Sequence, residues 1–161
     1  MRELRRQDRK LSEADARRVL EESEYGFLAT VNEDGSPYVV PMAAALCGNT
    51  LYMHCSRAGQ KLDNIRRDAR ACYTCVLYAD NQPAEFAMNF ASCVAEGRVR
   101  IITDEQERMT GMRAIAAKYS KEYLDTPGYE RTMRGMPAVV MLAMELDGFQ
   151  GKANRGRLKE N

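Results

Sequence analysis

Residues 51–67 read LYMHCSRAGQKLDNIRR and contain the only histidine of the chain. Leu51, Met53 and Cys55 alternate with Tyr52, His54 and Ser56, the period-two pattern of a strand that sends the two sets to opposite faces. His54 and Ser56 therefore share a face. The turn that follows supplies Arg57, Gly59 and Lys61 just ahead of a helical pattern: a bidentate cation, a backbone that turns tightly and a point charge. Together with the free N–H groups of a helix start, this is suitable chemistry for a phosphate monoester. Ser, Arg, Gly and Lys also compose ordinary surface turns, so the motif takes its meaning from the segments around it.

Upstream, Gly26–Val31 is an apolar run that ends in the turn Asn32-Glu33-Asp34-Gly35. Tyr38-Val39-Val40 resumes the strand between Pro37 and Pro41, and the two runs read as a hairpin. A second turn at Cys47-Gly48-Asn49 leads into Thr50–Ser56, so three consecutive antiparallel strands are expected. Ahead of them, Met1–Lys10 reads as a solvated basic arm interrupted by Glu3 and Asp8. Ser12 reads as the N-cap of a short helix carrying Ala16, Val19 and Leu20.

Downstream, Ala58–Asp68 reads as a helix with Leu62 and Ile65 inward and Asp63 and Asn64 exposed. Ala71–Ala79 reads as a strand, Asp80–Pro83 as a loop, and Phe86–Ile102 as an extended segment with Gly97 as a bulge or site of close backbone approach. Thr103 to Gln106 has capping-box spacing. Met109, Met112, Ile115, Ala116 and Tyr119 then form one face of a packing helix that Asp125–Gly128 breaks. Met133–Pro137 reads as irregular and Ala138–Leu146 as a closing strand. Gly148–Asn161, with Lys152, Arg155, Arg157 and Lys159, reads as a polar tail. The expected fold is one domain over residues 1–161, mainly β with flanking helices. Antiparallel strands in sequence without β-α-β alternation point to a six-stranded split β-barrel, since closure removes exposed edges.

Composition narrows the partners. Lys plus Arg total 24 against 23 Asp plus Glu, which leaves no global field for nucleic acid. No apolar run reaches the ~20 residues of a membrane span, and the charged N-terminus is unlike a signal peptide, so a cytoplasmic protein is expected. Five cysteines read as reduced thiols rather than a disulfide framework. Cys72 and Cys75 form a C-x-x-C within a strand, which turns them to opposite faces, and no metal site is expected.

In order, GFLATVNEDGSPYVVPM (26–42), the segment 51–67 and SCVAEGRVR (92–100) resemble the flavin-binding split barrels related to pyridoxamine 5'-phosphate oxidase. The resemblance is closest to the nitroimidazole-resistance (5-nitroimidazole reductase-like) branch and spans about Arg5 to Gly151. It implies a homodimer with FMN in each of two clefts between subunits. Val39, Val40, Pro41 and Met42 would lie along the isoalloxazine. Of the cofactor-contacting corner His54, Cys55, Ser56, Arg57, Gly59 and Lys61, Ser56, Arg57 and Lys61 would hold the phosphate and Gly59 would permit the turn. Ser92 would reach the ring edge, and His54, the catalytic candidate, would lie near flavin and substrate. Barrels of this kind also include deazaflavin and haem binders, for which His54 could be an axial ligand. The C-terminal basic residues do not match the substrate-phosphate set of vitamin oxidases, so vitamin oxidation is not expected. The leading expectation is a flavin-dependent reductase of small acceptors such as nitroaromatics, with NAD(P)H or another donor. Its rivals are a non-catalytic flavin- or haem-binding module and a dimeric scaffold with an empty cleft.

Overall fold

The computed structural model describes residues 1–135, 138–154 and 158. Helix α1 (Glu13–Glu22) begins where Ser12 caps it, the Ser12 hydroxyl accepting the Asp15 N–H at 3.1 Å. Strands β1 (Gly26–Val31) and β2 (Pro37–Met42) form the expected hairpin, with Gly26 opposite Met42 and Val31 opposite Pro37. There follow β3 (Ala45–Cys47), β4 (Thr50–Cys55), helix α2 (Gln60–Arg67), β5 (Arg70–Gln82) and β6 (Ala87–Ile101). Helices α3 (Glu105–Tyr119) and α4 (Pro127–Gly135) precede the last strand, β7 (Val140–Asn154).

All strands join one antiparallel sheet in the order β2-β1-β5-β6-β7-β4-β3. The expectation of six strands is corrected: the described residues form seven, and three-residue β3 is too short to show a period in the sequence. The expected run of three neighbouring strands is corrected as well. β2 pairs with β1, whereas β4 pairs with β3 and β7. Among the described residues no ladder joins β2 to β3, so the barrel is split there and not closed.

The inner face of the sheet carries Leu28, Leu51, Met53, Tyr73, Cys93 and Val99, and α1 adds Val19 and Leu20 to the same core. A second cluster on the outer face packs Tyr52, Met141 and Ala143 against Met112 and Ile115 of α3. Asn64, read as exposed, is 5% exposed. Its amide donates to Thr30 Oγ1 at 3.1 Å and Asn32 Oδ1 at 2.8 Å, tying α2 to the β1–β2 turn. No helix among the described residues is long and apolar enough to cross a membrane.

Three boundaries moved. The cap of α3 is Asp104, whose carboxylate accepts the Glu107 N–H at 2.8 Å, one residue beyond the Thr103 read from spacing. Met133–Gly135, read as irregular, ends α4, a helix announced by Pro127 near its start and by Thr126 Oγ1 accepting the Tyr129 N–H at 3.3 Å. Met136 and Pro137 lie outside the described residues. The tail read from Gly148 is strand as far as Asn154, because β6 pairs with β7 from Phe90, opposite Asn154, to Ile101, opposite Leu142. Arg155, Arg157 and Lys159 lie outside the described residues.

Gly97 marks a close approach. The β6–β7 register shifts between Glu96 and Gly97, and a Cβ at Gly97 would overlap the backbone carbonyl oxygen of Glu145. Gly97→Ala should therefore lower stability by about 1–3 kcal/mol, the usual scale of overpacking. Urea unfolding checks this, and an unchanged midpoint would contradict the close packing of that seam.

Candidate functional site

Strand β4 divides the chemistry. Leu51, Met53 and Cys55 enter the core, while Tyr52 packs under α3 and His54 is exposed. The corner follows at once: Ser56, Arg57 and Gly59 are exposed and Lys61 is half-buried in the first turn of α2. Gly59 has φ 137° and occupies the N-cap without any side-chain cap, and nothing lies within 4 Å of where its Cβ would be. Backbone N–H groups at this helix start are thus left open on a bare side, next to a lysine. Burial raises the Cys55 thiol, with the positive charge of Lys61 opposing the rise.

The β2 positions separate by face. Phe27 opposes Pro41 and Ala29 opposes Val39 on the outer side, whereas Leu28 opposes Val40 on the inner side. Val39 is 54% exposed, but Met42 belongs to the core and Val40 packs against it. Val39 and Pro41 can offer side chains to a ligand; Val40 and Met42 can offer only backbone. The Met42 carbonyl already accepts from the Tyr73 hydroxyl at 3.0 Å.

His54 faces a cleft of about 730 Å³ that it shares with Ala43, the residue next after β2. The imidazole has no hydrogen-bond partner among the described residues. Across the cleft stand Met112, Ile115 and Tyr119 of α3, Tyr123, and Tyr129 of α4. Composition alone did not single out Tyr123 and Tyr129, because the irregular reading of 133–137 hid α4. The Thr-Pro start of that helix was the available signal.

Ser92 is not brought to this cleft. It sits on β6 opposite Val76 and Lys152, with its hydroxyl donating to the Lys152 carbonyl at 3.4 Å, while His54 lies opposite Met141 near the other end of β7. Around Ser92 the outer face of β1, β2, β5 and β6 is open, presenting Phe27, Val39, Val76 and Val94 as exposed apolar side chains.

The sheet order and its flanking helices are those of a known class. The chain belongs to the pyridoxamine 5'-phosphate oxidase family, whose profile matches residues 12–152. Three solved structures share the fold. A candidate 5-nitroimidazole antibiotic resistance protein from Bacteroides thetaiotaomicron is 21% identical over 91% of this chain and 90% of that one, with a TM-score of 0.74. An FAD-binding protein from Mesorhizobium loti is 22% identical over 91% and 98%, with a TM-score of 0.68. An FAD- and haem-binding protein from Mycobacterium smegmatis is 18% identical over 90% and 72%, with a TM-score of 0.70. Comparison with curated proteins gives no significant match.

The thiols make the burial pattern of the site region testable. Cys47 is exposed, whereas Cys55, Cys75 and Cys93 are buried. Burial raises all three, Cys93 to about 12, so they stay protonated and shielded at pH 8. A small alkylating reagent at that pH should label native protein rapidly at Cys47, and Cys47→Ser should remove the fast phase. Fast labelling that persists in the variant, mapped by mass spectrometry to Cys55, would show the β4 end to be open.

Proposed function

We propose that the protein is an FMN-binding oxidoreductase that reduces small acceptors such as nitroaromatic or nitroimidazole compounds. The observation that carries this reading is the continuity of β4 into α2. Ser56, Arg57, Gly59 and Lys61, residues suited to a phosphate, follow His54 without a break in the chain, and His54 opens onto an apolar cleft, so one stretch can serve both a flavin phosphate and a small apolar acceptor. Lys61 and the N–H groups at the α2 start would hold the phosphate. The outer side chains Val39 and Pro41 and the backbone of Val40 and Met42 would border the ring. Bound FMN supplies two-electron redox chemistry, with NAD(P)H or another donor as reductant. His54 then serves the acceptor, donating a hydrogen bond or proton to it from the imidazole that opens onto the cleft.

The assembly in this reading is a homodimer. The open outer face with Phe27, Val39, Val76 and Val94 is an apolar surface of the kind that a second copy covers, and Ser92 on that face could reach a ring held by the partner. We read the chain as a single domain working in the cytoplasm, where the free state of Cys47, Cys55, Cys72, Cys75 and Cys93 fits a reducing compartment.

A second reading has its own support. A histidine without a hydrogen-bond partner among the described residues, opening onto an apolar cleft, also suits an axial haem ligand. In that case the protein is a non-catalytic binding module. Absorbance of the purified protein separates the two: a flavin spectrum supports the first and a Soret band the second. Lys61→Ala should weaken FMN binding by about 1–3 kcal/mol, the scale of a charge-assisted hydrogen bond. His54→Ala should keep its flavin and lose most of its nitroaromatic turnover. Unchanged turnover at saturating FMN would remove His54 from the chemistry.

A further inference from the structure

The cleft in front of His54 differs in character from the corner beside it. At about 730 Å³ it is the size of a small-ligand site, and the described residues that line it include no Lys, Arg, Asp or Glu. Met112 and Ile115 form an apolar floor. The opposite wall is phenolic: Tyr119 ends α3, Tyr123 ends the 3₁₀ turn Lys121–Tyr123, and Tyr129 comes from α4. Helix α4 buries none of its own residues fully; Met133 packs against the cluster under α3, and the rest of the helix stands as a wall of the cleft.

Such a lining discriminates by charge. An anion entering it would give up hydration and meet no Lys or Arg among the described lining residues, whereas an uncharged ring would exchange water for aromatic faces and methionine sulfur. The Tyr123 and Tyr129 hydroxyls and the imidazole can still orient a polar substituent, whereas the Tyr119 hydroxyl is engaged with the Ala44 N–H and carbonyl and offers its ring. The phosphate corner, by contrast, has Arg57 and Lys61.

We infer that the His54 cleft is an acceptor subsite selective for uncharged planar aromatic molecules, with Tyr119, Tyr123 and Tyr129 as its specificity-determining residues. Its role in turnover rests on the flavin-dependent reading above, but its selectivity is a binding property of this chain alone. Aromatic molecules bearing a phosphate or carboxylate are disfavoured there, even though a phosphate is welcome a few residues further along the same strand and turn.

The test is a matched pair of probes, 4-nitrobenzyl alcohol and 4-nitrobenzoate, titrated into the purified protein by calorimetry or ligand-observed NMR, with flavin content measured in parallel. The alcohol should bind at least ten-fold more tightly than the carboxylate. Ala116→Phe, which projects a ring into the cleft from α3, should weaken the alcohol at least ten-fold while flavin content is unchanged. Thr132→Arg, an exposed change on the α4 wall, should shrink the preference for the alcohol and does not depend on how Ala116 packs. Equal binding of the two probes overturns the inference. So does loss of flavin from Ala116→Phe, which would make the cleft the seat of the flavin ring. Absence of flavin from the wild-type protein would count against the flavin reading alone, because the probe pair still measures the cleft.

Discussion

Ala43 and Ala44 are the whole of the chain between β2 and β3, strands that stand at opposite ends of the sheet order. With Cα atoms 3.8 Å apart, Met42 and Ala45 can be separated by at most about 11 Å. Laid flat, six inter-strand spacings of ~4.8 Å would put the two edges about 29 Å apart. The sheet has to curl until its edges nearly meet, and this link is the reason. Its backbone polar groups are satisfied from three directions. The Tyr73 hydroxyl bonds the Met42 carbonyl, Lys118 Nζ donates to the Ala44 carbonyl at 2.8 Å and to Leu20 at 3.3 Å, and the Tyr119 hydroxyl accepts the Ala44 N–H at 3.1 Å. Burial lowers the Lys118 pKa, yet its ammonium is spent on carbonyl oxygens that link α1, α3 and the seam.

The candidate site is a product of that seam. Curling brings the end of β2 against β4, so Ala43 and His54 line one cleft with Tyr119 of α3, whose hydroxyl donates to the Ala44 carbonyl at 2.9 Å. The same α3 covers the outer face over Tyr52, Met141 and Ala143, leaving the outer face of β1, β2 and β5 open. One helix therefore decides where the outer face of the sheet is core and where it is surface. The polar corner depends on a different anchor. Asn64 holds α2 to Thr30 and Asn32, Gln60 bonds Asn32 at 2.9 Å, and Arg67 donates to the Val31 carbonyl. These contacts fix the direction in which the bare start of α2 points.

Much of this was legible residue by residue. The alternation in 51–56, the Asn32–Gly35 turn, the Ser12 cap and the special status of Gly97 each express a local rule: a period, a turn residue, a capping hydroxyl or a missing Cβ. The opposite faces of Cys72 and Cys75 followed from the same alternation, and Cys75 is buried while Cys72 is half-buried. What escaped was set by partners distant in sequence. β3 exists because β4 offers it an edge, β7 continues past Gly148 because β6 does, and Asn64 is buried because β1 supplies its hydrogen-bond partners.

By itself, the amino-acid sequence determined the mainly antiparallel β class, the alternation that turns His54 away from the core-facing Met53 and Cys55, and the Gly59 turn into a helix, because each depends on the geometry of one element. Only the tertiary structure decided that β2 and β3 bracket the sheet, that Val40 and Met42 turn inward while Val39 and Pro41 turn outward, and that α3, the 3₁₀ turn after it and α4 wall the His54 cleft with tyrosines. Strand neighbours and the elements that cover a face are chosen by long-range pairing and packing, and no local period in the chain encodes that choice.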